Sequence, residues 1–215
     1  HRLLDTLSFY GYVEQDGETN QYRLGWELYK IGQVVPQQNQ LLNLNPGYIL
    51  ELSRKTRATV NLGILKRGEI LIISKIEGAY DSTHISVRPG EYEAIHATGM
   101  GKVMISEMDE EEIWGLFGGR ETLIPYTPNT ITSLPQLMRE EARVRESGYA
   151  VDAEEYCIGL YCIAMPIRDY TGQIVAAVSV STPSGLMDED RKKLILEALS
   201  KCSRDISRSL GYQEK

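Results

Sequence analysis

The sequence predicts an antiparallel α+β domain with a short helix-and-hairpin segment ahead of it. Three observations lead there. Alternating apolar runs at Thr59–Leu65 and Glu69–Ile76 turn around Lys66-Arg-Gly68, and two more flank Asp169-Tyr-Thr-Gly172, so strands join as hairpins. Helical stretches lie between these hairpins without the strand–helix–strand alternation of a parallel sheet. The chain has 215 residues, 42% hydrophobic and 25% charged, enough for one medium domain and a small appendage.

The elements follow in order. Leu3, Leu4 and Leu7 have helical spacing, and Gly11 ends that helix. Tyr12–Asp16 and Gln21–Leu24 flank a polar Gly-Glu-Thr-Asn turn and read as a hairpin. Trp26 to Leu44 reads as an amphipathic helix that Pro36 kinks or splits, as suits a connector. Asn45-Pro46 supplies an N-cap and a first-turn proline for a helix ending near Lys55. After the hairpin at 59–76 comes a strand at Ser82–Val87, closed by Arg88-Pro-Gly90. Thr98 opens a helix to Ser106, and Asp109 opens a short one whose Glu110, Glu111 and Glu112 suit the helix dipole. Ser133–Ser147 is helical with Gly148 as its stop, and Asp188 caps a last helix to Leu210 before Gly211.

One stretch concentrates the chemistry. If Asp169 pairs with Gly172 across a two-residue loop, Cys162 falls opposite Ser179. Cys162, Ser179 and Ser181 then share one sheet face, while Ile163, Met165, Ile167, Ile174, Ala176 and Val178 share the other. A small polar face on an apolar hairpin is what a pocket for a compact polar ligand requires. A bulge at Gly172 would shift this pairing by one residue. The Thr98-Gly-Met-Gly101 turn either packs a helix tightly on the sheet or offers free N–H groups to an anion. Asp152, in a loop leading to the strand, reads as a turn former or an acceptor for a ligand hydroxyl; Glu154 and Glu155 read as a solvated edge or ion-pair partners.

Several classes are disfavoured. A net charge of −7 argues against a dominant nucleic-acid surface in these residues. Within residues 1–30, Arg2, Arg23 and Lys30 face Asp5, Glu14, Asp16, Glu18 and Glu27, a poor phosphate surface by themselves. Three cysteines without C-x-x-C point to a reducing, cytoplasmic setting, and no apolar run of membrane-spanning length exists. No cofactor or metal set is expected. The chain starts as though already inside a helix, so the natural protein is expected to extend further toward the N-terminus. A competing enzyme reading uses Cys157 and Cys162 as reactive thiols; it needs an activating base, and among His1, His84 and His96 only His96 is a candidate. A plain dimerisation module is a third reading.

Taken together, ordered segments resemble the IclR family of bacterial transcriptional regulators over essentially the whole chain. They are His1-Arg-Leu-Leu-Asp-Thr-Leu with Gly11-Tyr-Val, Tyr22-Arg-Leu-Gly25, Arg88-Pro-Gly90 with His96-Ala-Thr-Gly-Met-Gly-Lys102, Thr127-Pro-Asn-Thr130, Arg145 to Glu155, Gly159 to Ile167, and Ala177-Val-Ser-Val-Ser181. The resemblance implies the remnant of a winged helix-turn-helix at 1–25, a linker helix at 26–44 and a GAF-like effector-binding domain at 45–215. It implies operator DNA as a partner through a largely missing N-terminal domain, with His1 and Arg2 as its only remaining contacts here. It also implies a homodimer or homotetramer with a small organic acid or an aromatic compound as effector; a small-molecule carboxylate is the expected one, and no membrane partner is expected. Family ligand positions carry over onto Asp152, Cys162, Ser179 and Ser181, plus the backbone at Thr98, Gly99 and Met100. Gly99 stands where the family often has a small side chain, a change expected to widen the pocket.

Overall fold

A computed structural model of the chain describes residues 2–38, 40–43, 47–79 and 87–214. The chain forms two compact units, His1–Asn45 and Pro46–Lys215. The expected strand at 82–86 and the Asn45-Pro46 cap lie outside the described residues, and Val87 belongs to no strand.

In the first unit, α1 (Arg2–Phe9) leads into a hairpin of β1 (Val13–Gln15) and β2 (Tyr22–Leu24). The hairpin loop is held by Asp16, whose Oδ1 accepts the amides of Glu18 at 3.0 Å and Thr19 at 2.7 Å. The expected helix from Trp26 is three short pieces: α2 (Trp26–Gly32), α3 (Val34–Gln38) and α4 (Gln40–Asn43). The break at Gln33 places Pro36 in the first turn of α3, where its missing N–H costs no helical hydrogen bond.

The second unit is a sheet with helices on both faces. After α5 (Gly47–Thr56) come β3 (Thr59–Lys66), β4 (Glu69–Ile76) and β5 (Tyr92–Glu93). Then follow α6 (Gly99–Ile105), α7 (Glu110–Leu116), α8 (Leu134–Ser147), β6 (Ala150–Ala153), β7 (Leu160–Arg168), β8 (Ile174–Pro183) and α9 (Glu189–Ser209). The strand order is β5-β4-β3-β8-β7-β6, with antiparallel neighbours throughout. The caps expected at Thr98, Asp109 and Asp188 each accept an amide of the first turn, and Asp109 forms a full capping box with Glu112. Ser133 flanks α8 without a side-chain cap bond. The two-residue β5 and the short 3₁₀ turn Ser184–Leu186 were not expected.

The β7–β8 pairing corrects the expected register. Cys162 lies opposite Ser181, and Ser179 lies opposite Ala164. Gly172 takes a φ of 90° and turns the loop so that Arg168 pairs with Ile174. A second irregularity between Ile167 and Arg168 adds another residue. Two single-residue shifts restore the alternation, so Cys162, Ser179 and Ser181 still share a face.

The opposite face is the apolar core. Val60, Leu62, Ile163, Ile167, Val178 and Val180 are buried there, as are Leu52 of α5 and Ile195, Leu199 and Ile206 of α9. On the near face lies α6, whose first turn packs tightly on the chain that leads into it. A Cβ on Gly101 would lie 2.1 Å from the Ile95 carbonyl oxygen, so only glycine lets the helix sit there. Gly101→Ala is therefore expected to lose roughly 3 kcal/mol, a fall of roughly 10 °C in the melting midpoint. A thermal melt within a degree or two of the parent would refute the close-packing account.

Candidate ligand-binding site

The near face of the sheet is divided. Ile70, Ile72, Ala164 and Ala177 make an apolar half on which Met100, Val103 and Met104 of α6 pack. The other half is polar. Asp152 lies opposite Cys162, Cys162 opposite Ser181, and Asn61 between Ser179 and Lys75. Cross-strand partners project to the same side, so these groups converge. Because α6 covers only the apolar half, a small cavity open to solvent remains over the polar half.

All seven residues expected to form a site line this cavity: Thr98, Gly99, Met100, Asp152, Cys162, Ser179 and Ser181. Thr98 caps α6 with its Oγ1, which accepts the Gly101 amide at 3.1 Å and donates to the Ala94 carbonyl at 2.8 Å. The amides of Gly99 and Met100 fall in the first turn and have no intrahelical acceptor. Gly99 does not widen the cavity as expected. A Cβ there would meet the Ala164 Cβ at 3.3 Å and the Ala150 oxygen at 3.5 Å, so the missing side chain serves helix–sheet packing. Arg2 belongs to α1 of the first unit, and His1 lies outside the described residues.

Asp152 belongs to β6, not to a loop. It nevertheless acts as a turn former: its Oδ1 accepts the amides of Glu155 at 2.7 Å and Tyr156 at 3.3 Å. Burial pushes its carboxyl up to about 7 against these hydrogen bonds, with the neighbouring Glu155 adding to the rise. Glu155 is no solvated edge. It pairs with the fully buried Lys102 of α6 at 2.6 Å, and Lys102 also donates to the Val151 carbonyl. Thr127 donates to the Glu154 carbonyl at 2.6 Å, and Thr130 to that of Glu155 at 2.6 Å. The lip carrying Tyr156 is thus tied down from three sides.

Thr59, Asn61, Lys75, Glu93 and Tyr156 also line the cavity and were missed from the sequence. Asn61 and Lys75 carried a usable signal, since each interrupts an apolar strand at an inward position. Glu93 and Tyr156 carried none. Glu93 arrives on a strand of two residues, and Tyr156 on a loop.

The thiol-enzyme reading finds no support in this geometry. Burial, with Asp152 nearby, pushes the Cys162 thiol well above its ordinary value. Its sulfur donates to Ser181 Oγ at 3.2 Å. His96 lines a different cavity with Phe117 and Tyr126, and its Nε2 lies 2.9 Å from the Ile124 carbonyl. A disulfide-exchange reagent is expected to label the partly exposed Cys157 first and to reach Cys162 only on unfolding; prompt labelling of Cys162 in the native protein would overturn this.

Behind the lip, Glu141 of α8 is buried with neither carboxylate oxygen bonded among the described residues. Desolvation pushes this carboxyl up to about 9, against the attraction of Lys102. Its contribution is complete below the ordinary value of 4.5 and is lost as pH rises through about 9. Glu141→Gln is therefore expected to stabilise increasingly over that window, by on the order of 1–3 kcal/mol at pH 7. Denaturant melts at pH 5 and pH 8 measure this, and equal shifts at both would contradict the burial argument.

Comparison with known proteins agrees with this architecture. A family model described as bacterial transcriptional regulator IclR C-terminal matches residues 34–208. The chain is 37% identical over 212 residues to the HTH-type transcriptional regulator XynR of Escherichia coli K12, covering 99% of this chain and 83% of that protein. It is 35% identical to the HTH-type transcriptional regulator KdgR of the same organism, covering 100% of this chain and 81% of that one. The crystal structure of the Thermotoga maritima IclR superposes with a TM-score of 0.83 at 30% identity, over 98% of this chain and 84% of the other. The close-packed helix, the divided sheet face and these matches together place the chain in the IclR family of bacterial transcriptional regulators.

Proposed function

We propose that the protein is a ligand-responsive regulator whose second unit binds a small organic acid and thereby controls operator binding. The observation that carries this reading is one cavity walled by unpaired first-turn amides, small hydroxyls and a buried carboxyl. A carboxylate would be received by the amides of Gly99 and Met100 and by Ser179 and Ser181, while Asp152 would accept a hydroxyl of the ligand. Cys162 would fill the floor as a small, weakly donating side chain. On this reading, residues 45–215 are a GAF-like effector-binding domain, 26–44 a linker, and 1–25 the end of a winged helix-turn-helix.

Operator DNA is the proposed partner of the N-terminal part, with His1 and Arg2 at its phosphate-facing end. Relatives named as HTH-type regulators, XynR and KdgR, support this. The protein would act as a homodimer or homotetramer. Trp26, Tyr29, Ile31 and Val35 of α2 and α3 are exposed, an apolar surface that association between copies would cover. Effector binding would shift the population between two subunit arrangements, by no more than its difference in affinity for them.

The test is thermal unfolding of the chain against a panel of small organic acids. An acid at a hundredfold excess over its dissociation constant adds about 2.7 kcal/mol to stability. The double variant Ser179→Ala, Ser181→Ala is expected to keep a parent-like unliganded melt and to bind that acid at least about tenfold more weakly. Unchanged affinity in the double variant would remove the cavity from consideration.

A further inference from the structure

The polar groups of the cavity are not evenly spread. Three of its lining residues carry acceptors to which the described residues supply no donor. Asn61 Oδ1 is buried without a hydrogen-bond partner, because the Asn61 amide nitrogen faces Ser181 Oγ at 3.3 Å. Asp152 commits one oxygen to the amides of Glu155 and Tyr156, and its second accepts no hydrogen bond among the described residues. Glu93 enters from the sheet edge opposite Ile70, and its carboxylate has no hydrogen bond or ion pair among the described residues.

We infer that Glu93, with Asp152 and Asn61, supplies the cavity with acceptors that select acids carrying hydroxyl groups distal to their carboxylate. This rests on the organic-acid reading above and adds the class of acid and a residue that determines it. The argument is one of satisfaction. A buried acceptor without a donor costs about 1–3 kcal/mol, and Asn61 Oδ1 is such a group in the cavity that Asp152 and Glu93 also line. Water meets that need in the empty site. An alkyl or simple keto acid would displace the water and supply no donor, leaving the acceptors unpaired. A hydroxylated acid replaces each lost donor. Charge points the same way. Burial pushes both carboxyls up to about 7, with Asp152 adding to the rise at Glu93 and Glu155 to that at Asp152. A neutral hydroxyl donor adds no charge beside them, whereas a second carboxylate placed there would raise them further.

The experiment is calorimetric titration of the whole chain with acids matched in carbon number: glycerate against propionate, threonate against butyrate, gluconate against hexanoate. At least one hydroxylated member is expected to bind about tenfold or more tightly than its unhydroxylated partner. Glu93→Met keeps the side-chain length and removes both acceptors; it is expected to abolish most of that preference while sparing the unhydroxylated acid. Glu93→Gln retains one acceptor oxygen and is expected to fall between. Parent-like unliganded melts identify variants that fold. A preference untouched in folded Glu93→Met, or no preference in any pair, overturns the assignment while the organic-acid reading stands. Absence of binding by every acid overturns that reading, and this assignment with it.

Discussion

The buried ion pair between Lys102 and Glu155 is the constraint on which the second unit depends. Lys102 has no exposed surface, yet it lies on the helix that the sheet packs closest. Removing such a charge from water is costly, and a buried pair survives only when its remaining protons and lone pairs are largely met. The Val151 carbonyl takes a further hydrogen of Lys102, Glu155 Oε2 stays unbonded among the described residues, and Glu141 stays neutral nearby because burial raises its carboxyl so far. One cation thus serves one carboxylate. The pair joins α6 to the loop after β6, which are the two walls of the cavity. Breaking it would leave an uncompensated charge in the core and release both walls at once.

Gly101 supplies the second half of the same arrangement. Its contact with the Ile95 backbone seats the first turn of α6 against the turn that precedes it, and Gly99 brings the same turn onto Ala164 of the sheet. Apolar side chains of α6 meet the apolar half of the face, while its first turn faces the polar half. A cavity formed this way is walled by packed secondary structure. Its groups are therefore oriented before any ligand arrives, which lowers the ordering cost of binding.

The polar half of the face is destabilising in the absence of a ligand. Asp152, Glu93 and Asn61 hold acceptor capacity away from bulk water, and both carboxyls are pushed up to about 7 by burial and proximity. A core selected only for stability would place apolar residues at these positions. Retained unpaired acceptors at inward strand positions are more easily understood as a recognition surface than as a structural device.

Much of the fold was legible in the sequence because it rests on local chemistry. The hairpins at 59–76 and 160–183, the caps at Thr98, Asp109 and Asp188, and the stops at Gly11, Gly148 and Gly211 depend on residues within a few positions of each other. The shared face of Cys162, Ser179 and Ser181 was legible too, since alternation survives a shift of two. The pairing itself was not, because the turn at Gly172 and a second irregularity between Ile167 and Arg168 each displace it by one residue. Likewise, no local pattern could bring Glu93 from a two-residue edge strand, or Asn61 from β3, to the cavity of Asp152. Those groups are distant in sequence and meet only because the strand order β5-β4-β3-β8-β7-β6 lays them on one face and α6 leaves that part uncovered. The sequence by itself determined the elements and their polar faces, through short-range propensity and alternation; tertiary structure alone decided which faces met, because long-range packing and the burial of Lys102 depend on the whole chain.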